Sequence, residues 1–166
     1  MIDMEQNNGS TCVADIGGTH VHVAEILPNG TMLNSGQLQT PRDPDVERVL
    51  DVVDQAVGAW SGAWQRVDRI VLGVPGLVDP VGGIARFNAN LGWSNIPLRE
   101  LAERRWSRPV FLDNDVRLHA LGELHYGWGR HIQGPWVLVA IGTGIAATFV
   151  QDAKVVYGSH FAAGEI

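Results

Sequence analysis

Three groups of residues in this 166-residue sequence have the types and spacing to do chemistry. Asp15-Ile16-Gly17-Gly18-Thr19 sets a carboxylate at the end of an apolar run, then two residues without Cβ, then a hydroxyl. Such a turn lets backbone N–H groups approach phosphate oxygens, and the carboxylate can hold magnesium directly or through water. Gly142-Thr143-Gly144 repeats the design about 125 residues later. Either turn alone reads as an ordinary hairpin, but two of them, each after an apolar strand, suit a pair of loops gripping one polyphosphate. Asp113-Asn114-Asp115 follows another apolar run and opens a helical pattern. Phosphoryl transfer to an alcohol needs a carboxylate to accept the hydroxyl proton, and Asp115 is the candidate base. A helix N-terminus favours its ionised form, although capping by Asn114 or Asp115 would leave the same trace. The third group is Arg86-Phe87-Asn88-Ala89-Asn90-Leu91-Gly92-Trp93, in which Asn side chains that both donate and accept could bind a polyol, with Trp93 as an aromatic wall.

These groups need elements to position them. Cys12 to Ile16 and Val21 to Ile26 read as a β-hairpin about Gly17-Gly18, and Thr31 to Thr40 as a third antiparallel strand after the Pro28-Asn29-Gly30 turn. From Asp45 the period changes: Val46, Val49, Leu50, Val53, Val57, Trp60 and Trp64 predict an amphipathic helix. Arg69 to Val74 and Pro109 to Leu112 are short apolar runs expected as buried strands, with a helix opened by Pro97 between them and a Gly/Asn-rich loop from Val81 to Asn95. Asn114 is placed to cap a helix running to about Tyr126, its inward face Val116, Ala120, Leu121 and Leu124. After a glycine-rich linker, Trp136 to Ile141 and Ile145 to Val150 flank the second glycine turn. Trp60, Trp64 and Trp106 belong to helix core faces on this pattern.

Composition narrows the function classes. Hydrophobic residues make up 45% and charged residues 18%, enough to bury one good core, and the net charge of −6, without any Lys/Arg run, offers no field for nucleic acid. The single cysteine, Cys12, permits no internal disulfide and no cysteine-based metal cluster, which fits a cytoplasmic setting. The polar lead-in over residues 1–11 has no signal-peptide layout, and no apolar run is long enough for a membrane span. His20, His22, His119, His125, His131 and His160 are too scattered for a metal motif and receive no role.

Taken in order, Asp15-Ile16-Gly17-Gly18-Thr19, Gly73-Val74-Pro75-Gly76, Asn90-Leu91-Gly92-Trp93, Asn114-Asp115, Gly142-Thr143-Gly144 and Ala163-Gly164-Glu165-Ile166 resemble the ROK family of repressors, open reading frames and kinases, whose sugar kinases include bacterial glucokinases. The likeness runs from Thr11 onward. It implies an α/β fold of the actin/hexokinase type (ribonuclease H-like ATPase), with residues 12–113 as an N-terminal lobe and 114–166 as the beginning of a second, truncated lobe. It implies ATP-dependent phosphorylation of a hexose, glucose or an N-acetylated hexosamine. Asp15, Gly17, Gly18, Thr19, Gly142, Thr143 and Gly144 would then face the ATP phosphates and magnesium. Gly76, Asn90, Asn114, Asp115 and Glu165 would line the sugar, with Asp115 as base. The family's zinc site would lie in a portion beyond this sequence, and a homodimer is one assembly open to it. The alternative is the sugar-sensing body of a ROK repressor; the ten or so residues before the first strand are too few for a helix-turn-helix unit, which favours the kinase. Two departures stand out: Asn114-Asp115-Val116-Arg117 replaces the family's Asn-Asp-Ala-Asn, and His20 follows the glycine-glycine-threonine where Lys or Asn is familiar.

Overall fold

A computed structural model describes residues 9–142 and 144–165. Residues buried at alternate positions of β1 (Ser10–Ile16) and β2 (His20–Ile26) build, with β3 (Met32–Gln39), an antiparallel meander as expected. α1 (Val46–Gly58) starts where the Asp45 carboxylate accepts the Arg48 N–H at 3.0 Å. The apolar periodicity continues to Trp64, but the helix does not. It stops at Gly58, and Gly62, in the left-handed region at φ 68°, turns the chain into the separate short helix α2 (Ala63–Arg66).

β4 (Val67–Val74) then enters the sheet parallel to β1, and β8 (Val110–Asn114) lies parallel to β4, giving a five-stranded order β3-β2-β1-β4-β8. Between them the stretch expected as a loop folds into a second sheet of β5 (Leu77–Asp79), β6 (Ile84–Asn88) and β7 (Trp93–Ile96). Its strands are short and lack a clean alternation, so periodicity hides them. Its first turn is tied by the Asp79 carboxylate, which accepts the Val81 and Gly82 N–H groups and pairs with Arg86 at 2.7 Å. α3 (Leu98–Trp106) follows and ends at Ser107, itself left-handed at φ 51°.

α1 and α3 cover one face of the five-stranded sheet. The core there includes Cys12, Ala14, Ile16, Val21, Leu50, Val53, Ile70, Leu72 and Leu98, each larger side chain contributing about 1.5–3 kcal/mol on full burial. α4 (Asp115–His125) leaves the end of β8 capped by Asn114, whose Oδ1 accepts the Arg117 N–H at 3.0 Å. A 3₁₀ turn over Trp128–His131 occupies the expected linker. The chain then forms β9 (Trp136–Ile141), β10 (Ile145–Gln151) and β11 (Lys154–Val155), a third antiparallel sheet packed on α4 through Ala120, Leu121, Leu124 and Val150. No helix among the described residues is long and apolar enough to cross a membrane.

Candidate sugar and phosphate cleft

Parallel pairing puts the chemistry at one edge. In register, Asp15 of β1 lies beside Gly73 of β4, and Gly73 beside Asp113 of β8. The carboxyl ends of three neighbouring strands thus carry Asp15, the Gly73-Val74-Pro75-Gly76 turn and Asp113-Asn114-Asp115, the edge where α/β sheets bind ligands. Gly73 sets the closeness of approach. A Cβ there would stand 3.2 Å from Leu118 Cδ1 of α4, 3.5 Å from Asp15 Oδ1 and 3.7 Å from Asp115 Cα, so the absent side chain lets α4 settle with Asp115 against Asp15.

The cleft above this edge has a volume of about 700 Å³. Asp15, Gly17, Gly18, Thr19, Gly142 and Gly144, expected at the phosphates, line it together with Gly76, Asn90, Asn114, Asp115 and Glu165, expected at the sugar, so every described residue of the two expected sets faces one space. Thr143 lies outside the described residues. The Gly17 N–H is committed to His20 O at 2.9 Å, and Thr40 Oγ donates to Gly17 O at 2.6 Å, which fixes the turn whose Gly18 and Thr19 line the cleft. A Cβ on Gly18 would meet Asn90 Cβ at 3.2 Å, so the Gly17-Gly18 turn and the asparagine loop touch.

Asp115 is half-buried, and its Oδ1 accepts the Val116 N–H at 2.9 Å. Desolvation raises its carboxyl above the ordinary carboxylate range, the charge of Asp15 adding to this while the Val116 N–H and His119 oppose it. Such a group accepts a proton more readily than a solvent-exposed aspartate. Glu165 faces the cleft with Oε1 3.5 Å from Asn114 Nδ2. Its carboxyl is likewise raised, first by desolvation, with Arg117 opposing and Asp115 reinforcing the shift.

One expectation changes. Trp93 is not a ligand wall: it is buried in the core, its Nε1 donating to Pro44 O at 2.6 Å, because β7 turns the ring inward. Asn88 is structural, its amide donating to Pro75 O at 2.6 Å and its Oδ1 accepting the Leu91 N–H at 2.7 Å, which holds the loop bearing Asn90. His20 and His22, given no role from the sequence, stand in the cleft wall. The sequence also gave no sign of Tyr157, whose hydroxyl donates to Asp113 Oδ2 at 2.8 Å across 44 residues.

The family model described as the ROK family matches residues 11–166. The chain belongs to the ROK family. This ROK-family chain is 30% identical to a glucokinase of Streptomyces coelicolor over 92% of its own length and 47% of that protein's. It is 27% identical to the xylose repressor of Caldicellulosiruptor bescii over all of its length and 42% of the repressor's. Among solved structures it is similar to a ROK-family glucokinase from Streptomyces griseus in complex with glucose and AMPPNP, with a TM-score of 0.81 at 30% identity, covering 95% of this chain and 49% of that one. The ROK chain therefore spans about half the length of the relatives it matches. Its mixed α/β architecture is that of the ROK hexokinase-type structures, and both glucokinases and a xylose repressor stand among its relatives.

Proposed function

We propose that this chain carries the sugar-facing and phosphate-facing walls of an ATP-dependent hexose kinase, divided between a lobe of residues 12–113 and the beginning of a second lobe over 114–166. The observation that carries this reading is the convergence of Asp15, the two glycine turns, Asn90, Asn114, Asp115 and Glu165 on one cleft. A hexose, glucose or an N-acetylated hexosamine, sits against Gly76, Asn90, Asn114 and Glu165. The hydroxyl to be phosphorylated donates its hydrogen bond to the Asp115 carboxylate. As that oxygen bonds to the terminal phosphorus of ATP, Asp115 takes the proton and the bond to the bridging oxygen breaks, releasing ADP. The N–H groups of Gly18 and Thr19 and the turn at Gly142-Thr143-Gly144 orient the phosphates.

The donors suit magnesium held mainly by phosphate and water. Asp15 offers one oxygen-bearing side chain, and no group of three or more His, Cys, Asp or Glu side chains gathers among the described residues. Bound there, magnesium would neutralise charge on the phosphates.

The test is ADP release over a panel of hexoses, on the chain alone and on the chain completed with the C-terminal half of a glucokinase relative. The completed form should turn over, and Asp115→Asn in it should lower turnover by ~10²-fold or more with little change in hexose affinity. The chain alone should turn over little or not at all, since positioning the phosphate needs both lobes. An Asp115→Asn variant as fast as its parent would remove Asp115 from the mechanism. A second reading, the sugar-sensing body of a repressor, is favoured by the match of the xylose repressor to the entire chain; saturable hexose binding without ADP release in the completed form would select it.

A further inference from the structure

Arg117 is one of the two departures from the family pattern, and neither the cleft lining nor the proposed chemistry uses it. It is 2% exposed. Its Nε lies 3.2 Å from Asp113 Oδ1, one Nη donates to Val78 O of β5 at 2.9 Å, and its guanidinium stacks 4.9 Å from the ring centroid of Tyr157. The Tyr157 hydroxyl closes the circuit on Asp113 Oδ2 at 2.8 Å. The other Nη is buried without a partner, and the Arg117 charge favours the ionised form of Glu165. Tyr157 opens the arm that ends in Glu165. That arm is tied to its own start by the Ala163 N–H on Tyr157 O at 3.2 Å, and to β10 by the Ala147 N–H on Gly164 O at 3.0 Å. Gly164 runs at φ +90° with no room for a Cβ against the Ala147 carbonyl.

We infer that Arg117 is a positioning residue: through Asp113 and Tyr157 it clasps the Glu165 arm onto β8 and α4, and so holds Glu165 beside Asn114 at the hexose. The hexose part rests on the proposed sugar site; the clasp does not. A guanidinium serves because it meets a carboxylate, a carbonyl and an aromatic face at once, which neither Lys nor the Asn of the family pattern can do. The charged groups acting on Glu165 are Arg117 and Asp115, both on α4. Loss of Arg117 removes the one that favours ionisation.

The experiment uses the 166-residue chain with Arg117→Asn, Arg117→Lys and Tyr157→Phe, the last deleting one hydroxyl in case the first fails to fold. Amide hydrogen exchange should accelerate about tenfold or more at Ala147 and Ala163 in Arg117→Asn and Tyr157→Phe, the loss of about one charge-assisted hydrogen bond, with β1 and β4 amides unchanged. Arg117→Lys should fall between. Glucose titrated by calorimetry should bind about tenfold more weakly to Arg117→Asn, with the acid-side midpoint of binding moved to higher pH, a shift that loosened packing alone would not give. Wild-type exchange rates at Ala147 and Ala163 in both Arg117→Asn and Tyr157→Phe would overturn the clasp. Weaker binding with an unmoved pH midpoint would overturn the charge role. Faster arm exchange together with no saturable glucose binding by wild type would uphold the clasp and overturn the sugar-site reading.

Discussion

Asp15 raises the proton affinity of Asp115, adding its charge to the desolvation that burial imposes on that carboxyl. Asp115 accepts a proton only when ionised, so kcat/KM in the completed form should rise with pH through a midpoint above the ordinary carboxylate range. Asp15→Asn removes a charge that opposes ionisation, so the midpoint should move to lower pH whatever happens to the plateau. A pH profile with an unmoved acid limb would separate the two aspartates.

The same shift predicts a stability effect of opposite sense. A carboxyl whose folded pKa lies above its unfolded value stabilises the fold at low pH, and that contribution is lost as pH rises through the folded value. Asp115→Asn should therefore raise Tm at neutral pH, with the gap closing toward pH 4 and below, about where an unfolded aspartate protonates. Thermal melts across pH check it.

Gly73→Val should collapse the relationship between β4 and α4. Its Cβ would press on Leu118 at 3.2 Å and its methyls would enter the space shared by Asp15 and Asp115. Overpacking of this kind costs about 1–3 kcal/mol. Hexose affinity should fall as well, because α4 carries Asp115; urea melts and calorimetry on one preparation read both.

Glu25 is fully buried, yet its carboxyl is held below the ordinary range, first by its hydrogen bonds from Arg66, with Ser10 and Asn34 also donating. A depressed carboxylate contributes stability above its unfolded pKa and loses it as pH falls through the folded value. Arg66→Met should lower the urea midpoint at neutral pH, and the difference from wild type should shrink in acid. A difference that grows in acid would contradict the pairing.

Burial pushes the Cys12 thiol up to about 12, with the Glu25 charge adding to it. Since the thiolate is the reactive form, the folded chain should not react with a disulfide reagent at pH 8 over minutes, and the chain in denaturant should release one equivalent at once. Spectrophotometric titration of the released thiolate measures this.

The sequence alone determined what short segments do by themselves. Two residues without Cβ after an apolar run make the turn at Gly17-Gly18, an Asn at a strand-to-helix junction caps α4, short apolar runs mark β1 and β9, period 2 marks β2 and period 3.6 marks α1, because each depends on neighbours a few residues away. The cleft residues were legible for the same reason, each sitting in its own local motif. Tertiary structure decided the rest. Gly73 reads as one more strand-end glycine until β1 and α4 close on either side of it. Trp93 reads as a loop aromatic until β7 turns it inward. Arg117 reads only as a departure from the family pattern until Asp113, Val78 and Tyr157, the last 40 residues on, surround it. Contacts between residues so far apart leave no period in the chain, so only the packed sheet and helix could show that a missing side chain at Gly73 lets the two aspartates approach and that Arg117, Asp113 and Tyr157 meet.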